Sequence, residues 1–304
     1  MRRGRFLTAT LTAGYGFLYA PIALLVLTSF NDSRLTTVWT GFSLRWFAAL
    51  AHDDTLIGAA LLSLRIAAIS ATGATILGAL AGYALARLGR FRGRIAFAGL
   101  LAAPLVLPDL LIALALLLLF VFAERLLGFP QRGAGTITVA HVTASLAYVA
   151  IVVEARLAGS GTTLEEAAMD LGATPLRAFR RVTLPLMAPA LLSGWLLAFT
   201  LSLDDVVIAS FVSGPGASTL PMVVFSMLHL GATPELNALA TVILGGVATV
   251  LLVALFVMRR GAGASGFGGE GGPLRKRRWL HDARRGRATE QASRAEVAPP
   301  PPCS

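Results

Sequence analysis

Residues 165–186 read EEAAMDLGATPLRAFRRVTLPL, a charged island in a chain otherwise suited to lipid. The surrounding sequence decides what such an island can be. Of 304 residues, 56% are hydrophobic and 14% charged, and the mean hydropathy is +0.73, above the range of soluble domains. A bilayer offers the backbone no water, so an apolar run must either coil into a helix or alternate as a strand of a closed barrel. The runs here do not alternate. An all-α integral membrane fold follows.

About 20 apolar residues cross the hydrocarbon core at 1.5 Å per residue. Six windows meet this: Leu11 to Phe30, Ile66 to Ala86, Ile95 to Ala123, Thr136 to Val153, Ala188 to Phe211 and Leu236 to Met258. The chain therefore divides into a basic N-terminus (1–10), a six-helix transmembrane region (11–258) with the island in its loop 158–187, and a tail (259–304). The first run is long and no small-x-small cleavage site follows it before Phe30, so an uncleaved first helix is expected rather than a signal peptide.

Basic residues in short loops stay on the cytoplasmic side. With the N-terminus inside, 21 of the 26 Lys and Arg fall in cytoplasmic segments, among them Arg87, Arg90, Arg92, Arg94, Arg156, Arg177, Arg180 and Arg181. Arg34, Arg45, Arg125 and Arg132 fall outside, and Arg65 is expected to snorkel from the outer edge of the second span. Both termini are then cytoplasmic. The net charge of +10 reflects this topology and an anionic inner leaflet, so no nucleic-acid partner is implied. The tail is Gly-rich, then basic, then Pro-rich, a composition expected to stay disordered. Its Cys303 is the chain's single cysteine, so neither a disulfide nor a Cys-based metal site is expected.

The island itself reads as two short helices with a bend. Thr163-x-x-Glu166 has capping-box spacing, and Leu164, Ala167, Ala168 and Leu171 recur at helical intervals. Gly172 is suited to the left-handed turn past a helix end. Thr174 and Pro175 can start a second helix, which Pro185 is expected to stop. Small side chains beside charges suit docking into a groove on another protein, or equally packing on the chain's own membrane helices.

Glu166-Ala167-Ala168, three residues, Gly172, nine residues, Val182, one residue and Leu184-Pro185 resembles the EAA loop of ATP-binding-cassette importer permeases, with Val for the usual Ile. The resemblance implies that Glu165 to Pro185, including Glu165, Glu166, Ala167, Ala168, Gly172, Leu184 and Pro185, forms the coupling helices that enter a groove of a separate ATPase subunit. FRGRIAFAGLLAAPLVLPDLL, SLDD at 202–205 and ATPELNALAT further resemble the second membrane subunit of polyamine (putrescine and spermidine) importers, over roughly residues 10–260. Implied with it are a type I importer fold, a second permease subunit, two ATPase subunits and a periplasmic or lipid-anchored binding protein, all at a bacterial cytoplasmic membrane. The chain itself then needs no cofactor, ATP being bound by the partner. Related permeases for iron, sulfate or thiamine share the loop.

Acids inside a span are costly unless they face water or a partner. Asp204 lies about 24 Å above Ala188 at helical rise, and Asp109 about 21 Å above Ile95. His141 lies at similar depth. Asp109, Asp204, Asp205 and His141 can therefore line one outward cavity, where carboxylates would suit a cationic amine. The competing structural reading is that Asp204 and Asp205 cap or hinge a helix that breaks before Ser213-Gly214-Pro215-Gly216, or pair with Arg of a neighbouring subunit, and that His141 is a hydrogen-bonded helix residue. Adjacent residues on a helix point about 100° apart, so at most one of the two acids faces a path squarely.

No phosphate-binding Gly-x4-Gly-Lys-Ser/Thr loop is present, and the single lysine is Lys276 in the tail, so nucleotide hydrolysis is not expected of this chain. Ser202, His141 and Asp109 could nominally form a hydrolase, but no Gly-x-Ser-x-Gly elbow supports one. An ion-driven secondary transporter would use the same acids, yet has no reason to keep a cytoplasmic docking loop.

Overall fold

The computed structural model describes residues 2–34, 38–89, 91–231 and 233–264. Its helices are α1 (Arg2–Thr28), α2 (Arg45–Ala51), α3 (Asp54–Arg87), α4 (Arg94–Val106), α5 (Asp109–Leu127), α6 (Ala134–Ser160), α7 (Thr163–Asp170), α8 (Pro175–Ala178), α9 (Leu184–Asp204), α10 (Val207–Val212), α11 (Leu220–Leu230) and α12 (Pro234–Ala264). A π-helical turn, Phe179–Thr183, joins α8 to α9. The chain falls into two compact units, Met1–Val242 and Ile243–Ser304, the boundary lying within α12. From residue 265 onward the expected disordered tail lies outside the described residues.

Five helical stretches among the described residues are long and apolar enough to cross a membrane: Thr10–Thr28, Asp54–Arg87, Asp109–Leu127, Ala134–Ser160 and Pro175–Asp204. The protein is a multi-pass membrane protein. Against the six windows expected, these five leave Leu236 to Met258. That window is helical throughout as part of α12, but many of its side chains lie outside the described residues.

Two windows are broken rather than continuous. Ile95 to Ala123 is divided at Leu107–Pro108, because a residue before proline is pushed out of the helical region and Leu107 sits at φ −77°, ψ 140°. Ala188 to Phe211 is divided at Asp205, at φ −70°, ψ 125°. Conversely, Pro185 does not stop the helix. The π-helical turn before it carries the chain through, with the Leu184 N–H reaching the Phe179 carbonyl five residues back. The second span begins at Asp54, well before Arg65, so that arginine lies inside α3 rather than at its edge. Asp53 caps this helix, accepting from the Thr55 and Leu56 amides at 2.9 and 3.1 Å.

The centre of the first unit is the packing of α3, α6 and α9. In lipid no hydrophobic force drives helices together, so close backbone approach through small residues must do it. On α3 the buried face is Ala67, Ser70, Ala71, Ala74, Gly78, Ala81 and Gly82. A Cβ on Gly82 would lie 2.5 Å from the Ala150 carbonyl oxygen, and one on Gly78 2.7 Å from that of Leu146. Two apolar clusters result. One joins Ala71, Ala74, Val149, Val153, Leu157, Met187 and Ala198, and the other joins Ile112, Leu116, Phe120, Ile137, Ile208 and Val212.

Gly82→Ala is expected to destabilise the protein by about 1–3 kcal/mol through overpacking. Gly58→Ala, on the same helix with nothing within 4 Å, should be neutral or stabilising. Thermal unfolding in detergent compares the two.

Candidate functional site

The island folds as two helices standing on the membrane bundle. In α7 the N-cap is Thr162, not Thr163, and no side-chain cap forms, so the expected capping box is absent: Thr163 is already the first helical residue. The C-terminus closes as expected. Gly172 takes φ +86°, its N–H bonds the Met169 carbonyl at 2.9 Å, and the Ala173 N–H bonds that of Ala168 at 3.0 Å, a Schellman closure. Thr174 precedes α8 in extended conformation with Pro175 next, although its hydroxyl makes no cap bond.

Arg87, the last residue of α3, fixes this loop. Its Nε donates to Glu165 Oε1 at 3.0 Å, its Nη1 to the Leu157 carbonyl at 3.2 Å and its Nη2 to the Gly161 carbonyl at 2.6 Å. The pair is largely buried, with 8% and 15% of the side chains exposed. One guanidinium thus ties the ends of α3 and α6 to the first turn of α7, where a carboxylate is also favoured by the helix dipole. Beyond this anchor the island turns outward. Glu166 and Ala167 are exposed and Ala168 half-buried, while Leu164, Met169, Leu171 and Leu176 are exposed apolar side chains, Leu171 at 91%. Leu184 and Pro185 begin α9 and are exposed.

The second site is a cavity of about 420 Å³ whose wall includes all four intramembrane candidates, Asp109, His141, Asp204 and Asp205, with Ser145, Tyr148 and Ser202. The break at Asp205 lies in its wall, and Asp109, the residue that follows the break at Leu107–Pro108, joins it there. Irregular backbone at membrane depth is tolerated where it lines such a cavity. Asp109 occupies the first turn of α5 and Asp204 is the last residue of α9; both are exposed and neither has a cationic partner among the described residues. A carboxylate at a helix C-terminus is opposed by the helix dipole, so the position of Asp204 favours an external cation.

Asp205 and His141 are bound differently. Asp205, just before the N-cap residue Val206, accepts from the Ile208 and Ala209 amides of the first turn of α10 at 3.2 and 2.7 Å, and its Oδ2 lies 3.1 Å from His141 Nε2. His141 Nδ1 lies 2.6 Å from Ser202 Oγ, which also accepts from Ser70 Oγ at 3.1 Å. Because a carboxylate only accepts, Nε2 carries a proton, and in the neutral ring Nδ1 accepts from Ser202. Arg87, Ser70 and the part played by Ser202 were not singled out from sequence. Arg87 was legible only as one cytoplasmic arginine among many, and nothing local marks a partner 78 residues away.

Comparison with known proteins gives a consistent picture. The profile of the family described as binding-protein-dependent transport system inner membrane component matches residues 74–260. The chain is 57% identical over 251 residues to the putrescine transport system permease protein PotI of Escherichia coli K12, covering 82% of this chain and 89% of that protein. It is 44% identical over 242 residues to the spermidine/putrescine transport system permease protein PotC of the same strain, covering 80% and 88%. Among solved structures, a bacterial alginate ABC transporter in complex with an alginate-pentasaccharide-bound periplasmic protein contains a chain of the same fold. The TM-score is 0.64 at 18% identity, covering 88% of this chain and 98% of that one.

Removing one partner of a largely buried ion pair costs on the order of 3 kcal/mol. Arg87→Ala should therefore release the loop and speed limited proteolysis between residues 158 and 174. Arg87→Lys, a point charge unable to reach three acceptors as a fork, should fall between that variant and the unaltered chain.

Proposed function

Because this chain belongs to the binding-protein-dependent transport system inner membrane components, we propose that it is the membrane-spanning permease subunit of an ATP-driven importer of polyamines such as putrescine and spermidine. It resides in the bacterial cytoplasmic membrane with both termini inside. Its partners are a second permease subunit, ATPase subunits and a periplasmic or lipid-anchored binding protein. It has no ATPase site of its own; ATP is bound by the partner, and the chain carries no cofactor.

The observation that carries the substrate reading is the cavity with two carboxylates, Asp109 and Asp204, lacking a cation among the described residues. A di- or polyamine brings ammonium groups for the acids and methylenes for the apolar wall around them. The exposed face of α7 and α8 supports docking into the ATPase, with Leu164, Met169, Leu171 and Leu176 as apolar contacts beside Glu166. From there α8, the π-helical turn and α9 form an unbroken helical path to Asp204. Closure of the ATPases would move that path, and the cavity would switch between outward and inward openings.

Ser202, His141 and Asp205 are hydrogen-bonded in the order of a hydrolytic triad, but the arrangement does not favour hydrolysis. The Ser202 hydroxyl is buried and already bonded to Ser70, and the Ile208 and Ala209 amides, the nearby candidates for stabilising an oxyanion, are occupied by Asp205.

The test is uptake into vesicles by the complete reconstituted importer. Transport of putrescine is expected to require ATP and the ATPase subunits. Asp109→Asn and Asp204→Asn should each raise KM about tenfold or more, as expected for a lost charged hydrogen bond. Replacing Gly172 by Val, at a φ that a branched residue resists, should abolish coupling while the chain still inserts. Uptake driven by an ion gradient without ATP, or a non-amine taken up in preference, would refute the reading.

A further inference from the structure

Adjacent acids in one cavity wall invite the assumption that both hold substrate, yet their surroundings divide them. Resting on the cavity being the substrate path, we infer that Asp205 is a positioning residue, which with His141 and Ser202 fixes the break between α9 and α10 and so presents Asp204 to the cation. The side chain of Asp205 is only 12% exposed. One oxygen receives the Ile208 amide and the other receives both the Ala209 amide and His141. Little is left of it for a ligand. Asp204, one residue earlier, is exposed and ends α9.

The imidazole acts as a staple across the break. Ser202 lies in the last turn of α9, and Asp205 lies beyond its end at the start of α10; His141, from α6, holds one with each ring nitrogen. Ser70 of α3 holds Ser202 in turn. Without the staple and cap, the first amides of α10 lose their acceptor and α9 is free to wind on through Val206. Each residue added to a helix turns the next by about 100°, so the direction of α10 and the end position of Asp204 would both change.

This role requires hydrogen bonding and not charge, which separates it from ligand binding. Asparagine is as good an N-cap as aspartate. In Asp205→Asn the side-chain carbonyl oxygen can take the place of Oδ2 and keep both the Ala209 amide and His141, giving up only the longer bond from Ile208. Alanine can do neither.

The experiment measures putrescine uptake kinetics in the reconstituted importer, with the amount of assembled complex quantified for each variant. Asp205→Asn is expected to keep KM within about threefold, while Asp205→Ala and His141→Ala raise it about tenfold at equal assembly. If Asp205→Ala fails to assemble, His141→Ala against Asp205→Asn gives the same comparison. Asp205→Asn as damaging as Asp205→Ala would make the charge essential and Asp205 a ligand, overturning the inference. So would alanine variants that lower only the amount of complex and leave KM intact. An unchanged KM in Asp204→Asn would instead remove the cavity reading on which the inference stands.

Discussion

Three segments of the chain end within reach of one guanidinium. The carbonyls of Leu157 and Gly161 have lost their intrahelical donors at the end of α6, and the first turn of α7 favours a nearby carboxylate that itself needs a counter-charge. Arg87 supplies all three demands from the end of α3. Arg94 does a smaller version of the same work, donating to the Leu85 carbonyl in the last turn of that helix and to the Gly89 carbonyl just past it. The cytoplasmic loop is therefore held by its root, and the apolar residues beyond Glu165 are left to face outward without loosening the bundle.

Above this anchor the packing has little room to yield. Gly78 and Gly82 bring α3 so close to α6 that a single added carbon would strike backbone. Bundles packed through small residues shift as bodies or not at all. The interruptions lie elsewhere, at Leu107–Pro108 and Asp205–Val206, next to the same cavity. The rigid part and the interrupted part are different regions of one sequence, and the polar residues gather at the interruptions.

Much of this could be read from the amino acids because lipid imposes a simple rule. Apolar length located the crossing helices, and the EAA spacing located the loop with Gly172 at its turn. The four intramembrane candidates converge on one cavity wall, as the depth estimates expected, although the helix break before Asp109 and the one at Asp205 were not part of those estimates. What escaped were features decided by pairing at a distance. Asp205 differs from Asp204 only through His141 and the amides of α10, and no local pattern tells one acid from the other. Thr163 has the right spacing for a cap and lost the place to Thr162, since the helix starts one residue earlier than the motif suggested. Pro185 looked like a stop because a proline's effect depends on the turn before it, and a π-helical turn is not encoded by any residue type.

The continuity of Pro175–Asp204 has a further consequence for how this protein can change over time. A helical shaft some 45 Å long, at about 1.5 Å per residue, conveys rotation as faithfully as thrust. Substitutions along its lipid side leave the phase between its two ends untouched. Adding or dropping a single residue would swing Asp204 by about 100° relative to the loop. The shaft can thus vary in composition along its lipid side while its residue count stays locked, like the tooth number of a gear.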